Sequence, residues 1–389
     1  MHTAINHAKI FDGEKVLCQS GSILFDETGI LAVGEGEQRG DVTIDEQGRT
    51  VLPGLMDCHV HMGSSGPGGA HATAEQMAAT IAADAAKILR YGVTTVRNAA
   101  EPFNMDLLVR DYVNSGYLDG CRIIAAGRPF GITGCGCPNP SYAVDTPDEM
   151  RKAARQQLGL QADFLKMSAT GSMGGKNSVP GAPLLTEEML RVAVEESARC
   201  GKLVMVHATN TCYEAAQRAA RAGVRSIEHI QMDEETAQVM KANGTYYCPT
   251  IVMRYRIIHS TEPEYEYMRK KASLQDLVNK KRAIGLCLKY GIPVAAGTDA
   301  NGRGGLVSLG DSLHTELGIY VEYGMTPVQA LHTATLSAAR MMCIDHEVGS
   351  LEAGKCADVI LVDGDPTENI ADISKVERTF RAGKQVYHR

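Results

Sequence analysis

From residue 50 to residue 300 one pattern of polar and apolar positions recurs: an amphipathic stretch, a glycine, then a short apolar run. Gly92, Gly201, Gly223, Gly244 and Gly291 each close a helical stretch, where glycine tolerates the left-handed conformation of a helix C-terminus. Apolar or β-branched runs follow at Val93–Val96, Leu203–Val206, Val224–Ile227, Thr245–Cys248 and Ile292–Ala295. Val51-Leu52, Ile123-Ile124 and Phe164-Leu165 bring the candidate strands to eight. Helix starts are marked as well. Thr73-Ala-Glu-Gln76 and Thr146-Pro-Asp-Glu149 read as capping boxes, with Pro147 at a first helical position. Thr186 and Asp233 are further N-cap candidates. Short, uniformly apolar strands alternating with helices predict an α/β fold with a parallel sheet covered by helices. Eight of them predict a (β/α)8 TIM barrel. A doubly wound open sheet is the competing arrangement, but no Gly-rich dinucleotide turn follows an early strand.

Both ends of the chain have a different texture. Ser22 to Val33 reads strand, turn, strand, with Gly29 at the turn. Ala357–Val362 and Val376–Val386 repeat that texture. Two β-rich ends around a different middle predict a small β-sandwich domain formed by both chain termini. The expected division is residues 1–52 and 346–389 for the sandwich and 53–345 for the barrel.

Composition narrows the function. With 44% hydrophobic and 22% charged residues, the 389-residue chain is ordinary globular material. A net charge of −7, no Trp and 5% aromatics leave no basic stripe or stacking platform for nucleic acid. No apolar run approaches the ~20 residues of a membrane span, and Met1 to Gly13 lacks the apolar core of a signal peptide. Eleven irregularly spaced Cys argue for reduced thiols and a cytoplasmic location. The expected partner is a small-molecule substrate, with no nucleic acid and no membrane; homo-oligomerisation is left open.

Candidate chemistry gathers at the strand ends. His59-Val60-His61 ends the first candidate strand, and alternation directs positions i and i+2 to one side. His207, His229 and Asp299 end the fifth, sixth and eighth. A lone His is commonly a satisfied core or surface residue. Four of the 12 His at the ends of inner strands, with a carboxylate, instead suit a divalent first-row metal, most often Zn. Lys166 ends the fourth strand in Ala162-Asp-Phe-Leu-Lys166. An ammonium beside cations is unfavourable, whereas a neutral amine reacts with carbon dioxide to give a carbamate able to bridge two metals. The six side chains would complete a binuclear ligand set. Three Gly-rich segments, Gly63–Ala72, Gly131–Tyr142 and Ala169–Pro183, follow strands and would lie at the same face. Gly171 to Asn177 superficially suggests a phosphate loop, but Thr170 stands where its first Gly belongs.

Pro53-Gly-Leu-Met-Asp-Cys-His59-Val-His61, Ala162-Asp-Phe-Leu-Lys166, Ile227-Glu-His229 and Ala296-Gly-Thr-Asp299 resemble the amidohydrolase superfamily. The similarity is to its imidazolonepropionase-related branch, which includes metal-dependent Xaa-Pro dipeptidases and carboxypeptidases. It runs nearly end to end, through Glu316-Leu317, Gly324–Pro327 and Ala330–Thr335 to Gly349–Ile360. The resemblance implies a barrel with a split β-sandwich and a metal-bound hydroxide nucleophile. It implies His59, His61 and Asp299 on one metal, His207 and His229 on the other, and carboxylated Lys166 bridging. Asp299 would act as general base and then acid.

The chain departs from the dipeptidase pattern around the substrate. Thr133-Gly-Cys-Gly-Cys137 carries no His where that loop usually has one, Thr209 replaces a second His, and Ile230 replaces a Gly. Cys135 and Cys137 are candidate soft ligands or redox-sensitive thiols, against the plainer reading of a lid loop. Arg254 and Tyr255 stand near the Tyr expected after Pro249-Thr250; with Arg303 they are the candidates for holding a substrate carboxylate. The expected reaction is hydrolysis of a peptide-like, N-acyl or cyclic amide bond by a metal-dependent, Xaa-Pro dipeptidase-like enzyme. Two other readings compete. A mononuclear deaminase or imidazolonepropionase-like cyclic-amide hydrolase would leave Lys166 without a metal role, and the Glu typical of deaminases is Asn210 here. A non-catalytic scaffold would tend to lose ligands, and this chain keeps six.

Overall fold

The computed structural model describes residues 1–63, 72–135, 141–173, 178–301 and 306–389. Five strands open the chain: β1 (Thr3–Phe11), β2 (Val16–Asp26), β3 (Gly29–Gly34), β4 (Val42–Asp45) and β5 (Arg49–Pro53). Then come β6 (Leu55–Val60), β7 (Val93–Asn98) and β8 (Arg122–Ala125). They are followed by β9 (Phe130–Gly131), β10 (Tyr142–Ala143), β11 (Phe164–Ser168), β12 (Leu203–His207), β13 (Ser226–Glu228) and β14 (Tyr246–Cys248). The last three are β15 (Val359–Asp363), β16 (Val376–Arg381) and β17 (Lys384–His388).

Strands from both chain ends form one eight-stranded sheet, ordered β17-β16-β15-β5-β1-β2-β3 with β4 also on β1. The sheet folds over on itself, so that Phe25 of β2 and Phe380 of β16 meet edge to face with ring centroids 4.9 Å apart. They close a private core with Ile5, Ile10, Ile23, Val359 and Leu361. Val51 and Leu52, expected to open the barrel, belong to this sheet: they pair antiparallel with Leu361 and Ile360 of β15. The parallel strand carrying His59 is β6. One apolar run thus serves two sheets, divided at Gly54, where a Cβ would stand 2.1 Å from the Thr94 hydroxyl.

The middle of the chain is α/β. β6-β7-β8 form a three-stranded parallel sheet, and β10-β9-β11-β12-β13-β14 a six-stranded parallel one. Ile292–Ala295, expected as a full strand, contributes only a single bridge from Val294 to Tyr247, and Ala300 makes another to Val60. Pro293 brings no N–H, and Asp299 turns left-handed at φ 59, so a regular ladder cannot run through. The segment still carries β14 to β6: Ala295 N donates to Tyr247 O (3.0 Å), and Cys58 N to Ala296 O (2.8 Å). Between β8 and β11, Asp163 N donates to Ala125 O at 2.9 Å.

Helix signals are found where the residues place them. Thr73 and Thr146 make capping boxes with Gln76 and Glu149, and Thr186 and Asp233 cap two more helices. Among the described residues, no helix is long and apolar enough to cross a membrane, and the ten described cysteines are free thiols. The three Gly-rich segments lie partly outside the described residues.

Helices Pro147–Gly159 and Glu187–Arg199 are tied by Glu196, whose side chain is buried. Arg155 Nε donates to it at 2.9 Å and Arg151 Nη1 at 2.7 Å. The Arg155 hydrogen bonds, opposed by burial and joined by Arg151, hold the Glu196 carboxyl down to about 2. A depressed carboxyl stabilises the fold above its unfolded value, near 4.5, and loses that contribution as pH falls toward 2. Glu196→Gln is expected to cost about 1–2 kcal/mol at pH 7, allowing for solvent around Arg155. Urea unfolding should show the gap to the parent closing as the pH approaches 2.

Candidate metal centre

The parallel strands bring the six expected side chains together. His59 lies in β6 and His61 just beyond it, with ring centroids 5.4 Å apart. Lys166 is central in β11, His207 ends β12, and His229 follows β13. Lys166 Nζ is 3.3 Å from His59 Nε2. Asp299 Oδ1 is 3.4 Å from Nε2 of both His59 and His61. The His229 ring is 4.6 Å from that of His59 and 4.7 Å from that of His207. One ligand atom each from His59, His229 and Asp299 lie within 4.8 Å of one another.

Each imidazole is anchored from behind. His59 Nδ1 is 2.9 Å from Glu228 Oε2, His61 Nδ1 is 3.2 Å from Ala100 O, and His229 Nδ1 is 2.6 Å from Thr250 Oγ1. His207 bonds the Gly171 backbone. Its Nε2 is buried and has no hydrogen-bond partner among the described residues. A ligating His characteristically gives its second nitrogen to such an acceptor, which fixes the tautomer and the ring angle.

A further layer supports these anchors. Glu228 Oε1 accepts from Arg97 Nη2 (3.0 Å) and Ser226 Oγ (2.5 Å), and Arg97 Nε donates to Cys58 O (2.6 Å). His59, Glu228 and Cys248 also cluster closely enough to suggest an ion, but Arg97 and Ser226 already occupy Glu228 there. Asp57 accepts from Thr298 N (3.0 Å), Thr298 Oγ1 (2.7 Å) and His59 N (3.3 Å), joining β6 to the turn that presents Asp299. Sequence reading assigned no role to Arg97, Asp57 or Glu228. Asp57 and Glu228 lie inside the motifs that carry the ligands, and Arg97 is a charged residue within a short buried strand.

Burial sets the protonation states. It pushes His59 and His229 well below the usual histidine range, and takes His207 down to about 3 with help from the charge of Lys166. Neutral imidazoles offer lone pairs to a cation. Burial opposes ionisation of Asp299, but the His61 hydrogen bond and the neighbouring His59, His61 and Lys166 outweigh it and hold the carboxyl at about 2. The backbone is left-handed at His229 (φ 69), Thr250 (φ 50) and Asp299 (φ 59). Strained positions of this kind cluster where surrounding structure over-determines a site. Four imidazoles, one of them with an orphaned buried Nε2, together with a carboxylate and an amine, fit a divalent metal.

The other candidates divide. Arg254 is buried, with Nη2 3.0 Å from Asn210 Oδ1 and 3.4 Å from Thr209 Oγ1, so its guanidinium reaches the loop after His207. Nη1 is 3.2 Å from Asp276 Oδ2. Tyr255 is 42% exposed and stacks on His259, with centroids 4.3 Å apart. Cys135 Sγ is 3.8 Å from Ser178 Oγ. Arg303 and Cys137 lie outside the described residues.

The chain resembles characterised proteins along its length. The Amidohydrolase family profile matches residues 50–386. Ochratoxinase of Aspergillus niger is 27% identical over 372 residues, covering 87% of this chain and 74% of that protein. Imidazolonepropionase of a Geobacillus species is 25% identical, covering 89% and 84%. A solved Xaa-Pro dipeptidase with methionine bound in its active site has a TM-score of 0.88 and 31% identity, with both chains fully covered. The chain belongs to the amidohydrolase family, within its imidazolonepropionase-related branch, and is a hydrolase.

Proposed function

We propose that the two parallel sheets close as a (β/α)8 barrel whose strand ends hold two divalent ions, and that this centre hydrolyses an amide bond in a small substrate. In this reading residues 53–345 form the barrel, and 1–52 with 346–389 the β-sandwich. The convergence of six ligand-type side chains, with four imidazoles anchored from behind, carries the proposal.

His59, His61 and Asp299 would hold one ion, and His207 and His229 the other, both most naturally Zn. Lys166 would bridge as its carbamate: the amine nitrogen forms a bond to the carbon of CO2 and releases one proton. Such ions lower the pKa of a bound water toward 7 and polarise a carbonyl. Asp299 has an ionised carboxylate beside His59 and His61. It accepts the proton of the attacking water at Oδ and returns it to the leaving nitrogen. Arg254, buried beside Thr209 and Asn210, is the candidate anchor for a substrate carboxylate.

The similarity to an Xaa-Pro dipeptidase and to ochratoxinase directs the test to Xaa-Pro dipeptides and N-acyl amino acids. Zn-replete protein is expected to hydrolyse members of that set, to lose activity on chelation and to regain it with Zn. The imidazolonepropionase relative favours a second reading, a mononuclear cyclic-amide hydrolase. One ion per chain, an unmodified Lys166 and ring opening of a cyclic urea would establish that reading instead.

A further inference from the structure

Thr250 follows β14 after Pro249, with φ 50 and ψ 50. For a β-branched residue the left-handed region is a true outlier, persisting only where neighbours impose it. Two buried side chains from distant helices supply that constraint. Lys280, in helix Leu274–Tyr290, donates from Nζ to the carbonyl of Pro249 (2.6 Å) and to that of His229. Glu316, in helix Asp311–Glu322, accepts from Ile251 N at 2.8 Å and Val252 N at 2.6 Å. These N–H groups open helix Ile251–His259 and have no partner within it. The chain is therefore gripped on both sides of Thr250.

The grip has a chemical consequence. The Thr250 hydroxyl donates its one proton to Pro249 O at 2.8 Å. Toward His229 Nδ1, 2.6 Å away, it can then only accept. With the hydroxyl proton on Pro249 O, the matching His229 tautomer is the one that carries its proton on Nδ1 and keeps a lone pair on Nε2. Glycine would relieve the backbone strain at this position, but it would bring no acceptor.

We infer that Thr250, held by Lys280 and Glu316, is a positioning residue that sets the tautomer and ring angle of His229 for a divalent ion. The inference rests on the metal-centre reading above.

The test is titration of the metal-free full-length chain with Zn2+, and with Co2+ as a coloured probe, in the parent, Thr250→Val and Thr250→Ser. Thr250→Val is expected to lose about 10–100-fold in affinity for one of two ions and to change the Co2+ absorption spectrum. Thr250→Ser should retain both properties. Metal-free Thr250→Ser should melt with the parent, whereas Thr250→Val, which strands the buried His229 N–H, should melt lower; the ion affinities are compared where both are folded. If Val at this φ prevents folding, Thr250→Gly removes strain and acceptor together and carries the same expectation. Two ions bound by Thr250→Val or Thr250→Gly with the parent's affinity and spectrum would overturn the inference. A parent chain that binds fewer than two ions would instead sink the binuclear reading, and this inference with it.

Discussion

Lys166→Ala is expected to lower kcat/KM on any amide substrate by about 10³-fold or more and to leave at most one ion bound per chain. Lys166 is 5% exposed, with Nζ 3.3 Å from His59 Nε2. In the proposed centre a protonated amine would be desolvated and would face two cations, whereas a carbamate is an anion with two ligand oxygens. In the proposed binuclear centre, alanine would remove the bridge and leave a small space in its place. A short carboxylate such as acetate should therefore restore part of the second ion and part of the turnover, because it supplies the missing oxygens. Elemental analysis and steady-state kinetics with and without acetate are the measurements. Unchanged metal content and unchanged turnover would remove the bridge from the mechanism.

Arg97→Met carries the largest expected loss of stability, about 3–5 kcal/mol. Its guanidinium joins Cys58 O, Ser226 Oγ and Glu228 Oε1 in a region where both charged side chains are buried. Removing the cation strands a carboxylate that still holds His59 Nδ1. The double variant Arg97→Met, Glu228→Gln neutralises both members and should recover much of the loss, a coupling that urea unfolding reads as a double-mutant cycle. Strict additivity of the two single changes would mean that the pair is not the unit described here. The same cycle read by Zn affinity separates the fold from the site: Glu228→Gln alone should weaken Zn binding by about 10-fold or more.

Local rules made much of the architecture legible. Thr73, Thr146, Thr186 and Asp233 cap helices as their side chains and spacing require. The ligand-type residues stand out because His, Lys and Asp at the ends of apolar strands have few other uses. Two expectations fail, each for its own reason. Val51-Leu52 and Leu55–Val60 serve different sheets, yet each strand is buried on both faces, so no alternation tells them apart. Ile292–Ala295 has the composition of a strand, yet Pro293 and the turn at Asp299 limit the segment to isolated bridges. The supporting layer was out of reach for another reason. Glu228 and Glu316 stand inside recognisable motifs, but what they hold lies 169 residues away at His59 and 65 away at Ile251. No periodicity encodes contacts over such separations.

The pairing of β5 with β15 has a consequence for synthesis. One edge of β5 (Arg49–Pro53) pairs with β1, but the other finds its partner only at Val359–Asp363. A ribosome adding about 5–20 residues per second makes roughly 300 residues in the interval, and so leaves one edge of β5 open for some 15–60 s. That edge belongs to the apolar stretch containing Val51 and Leu52, a template for association with other nascent chains. That edge of β5 therefore stays unpaired until Val359–Asp363 have been made.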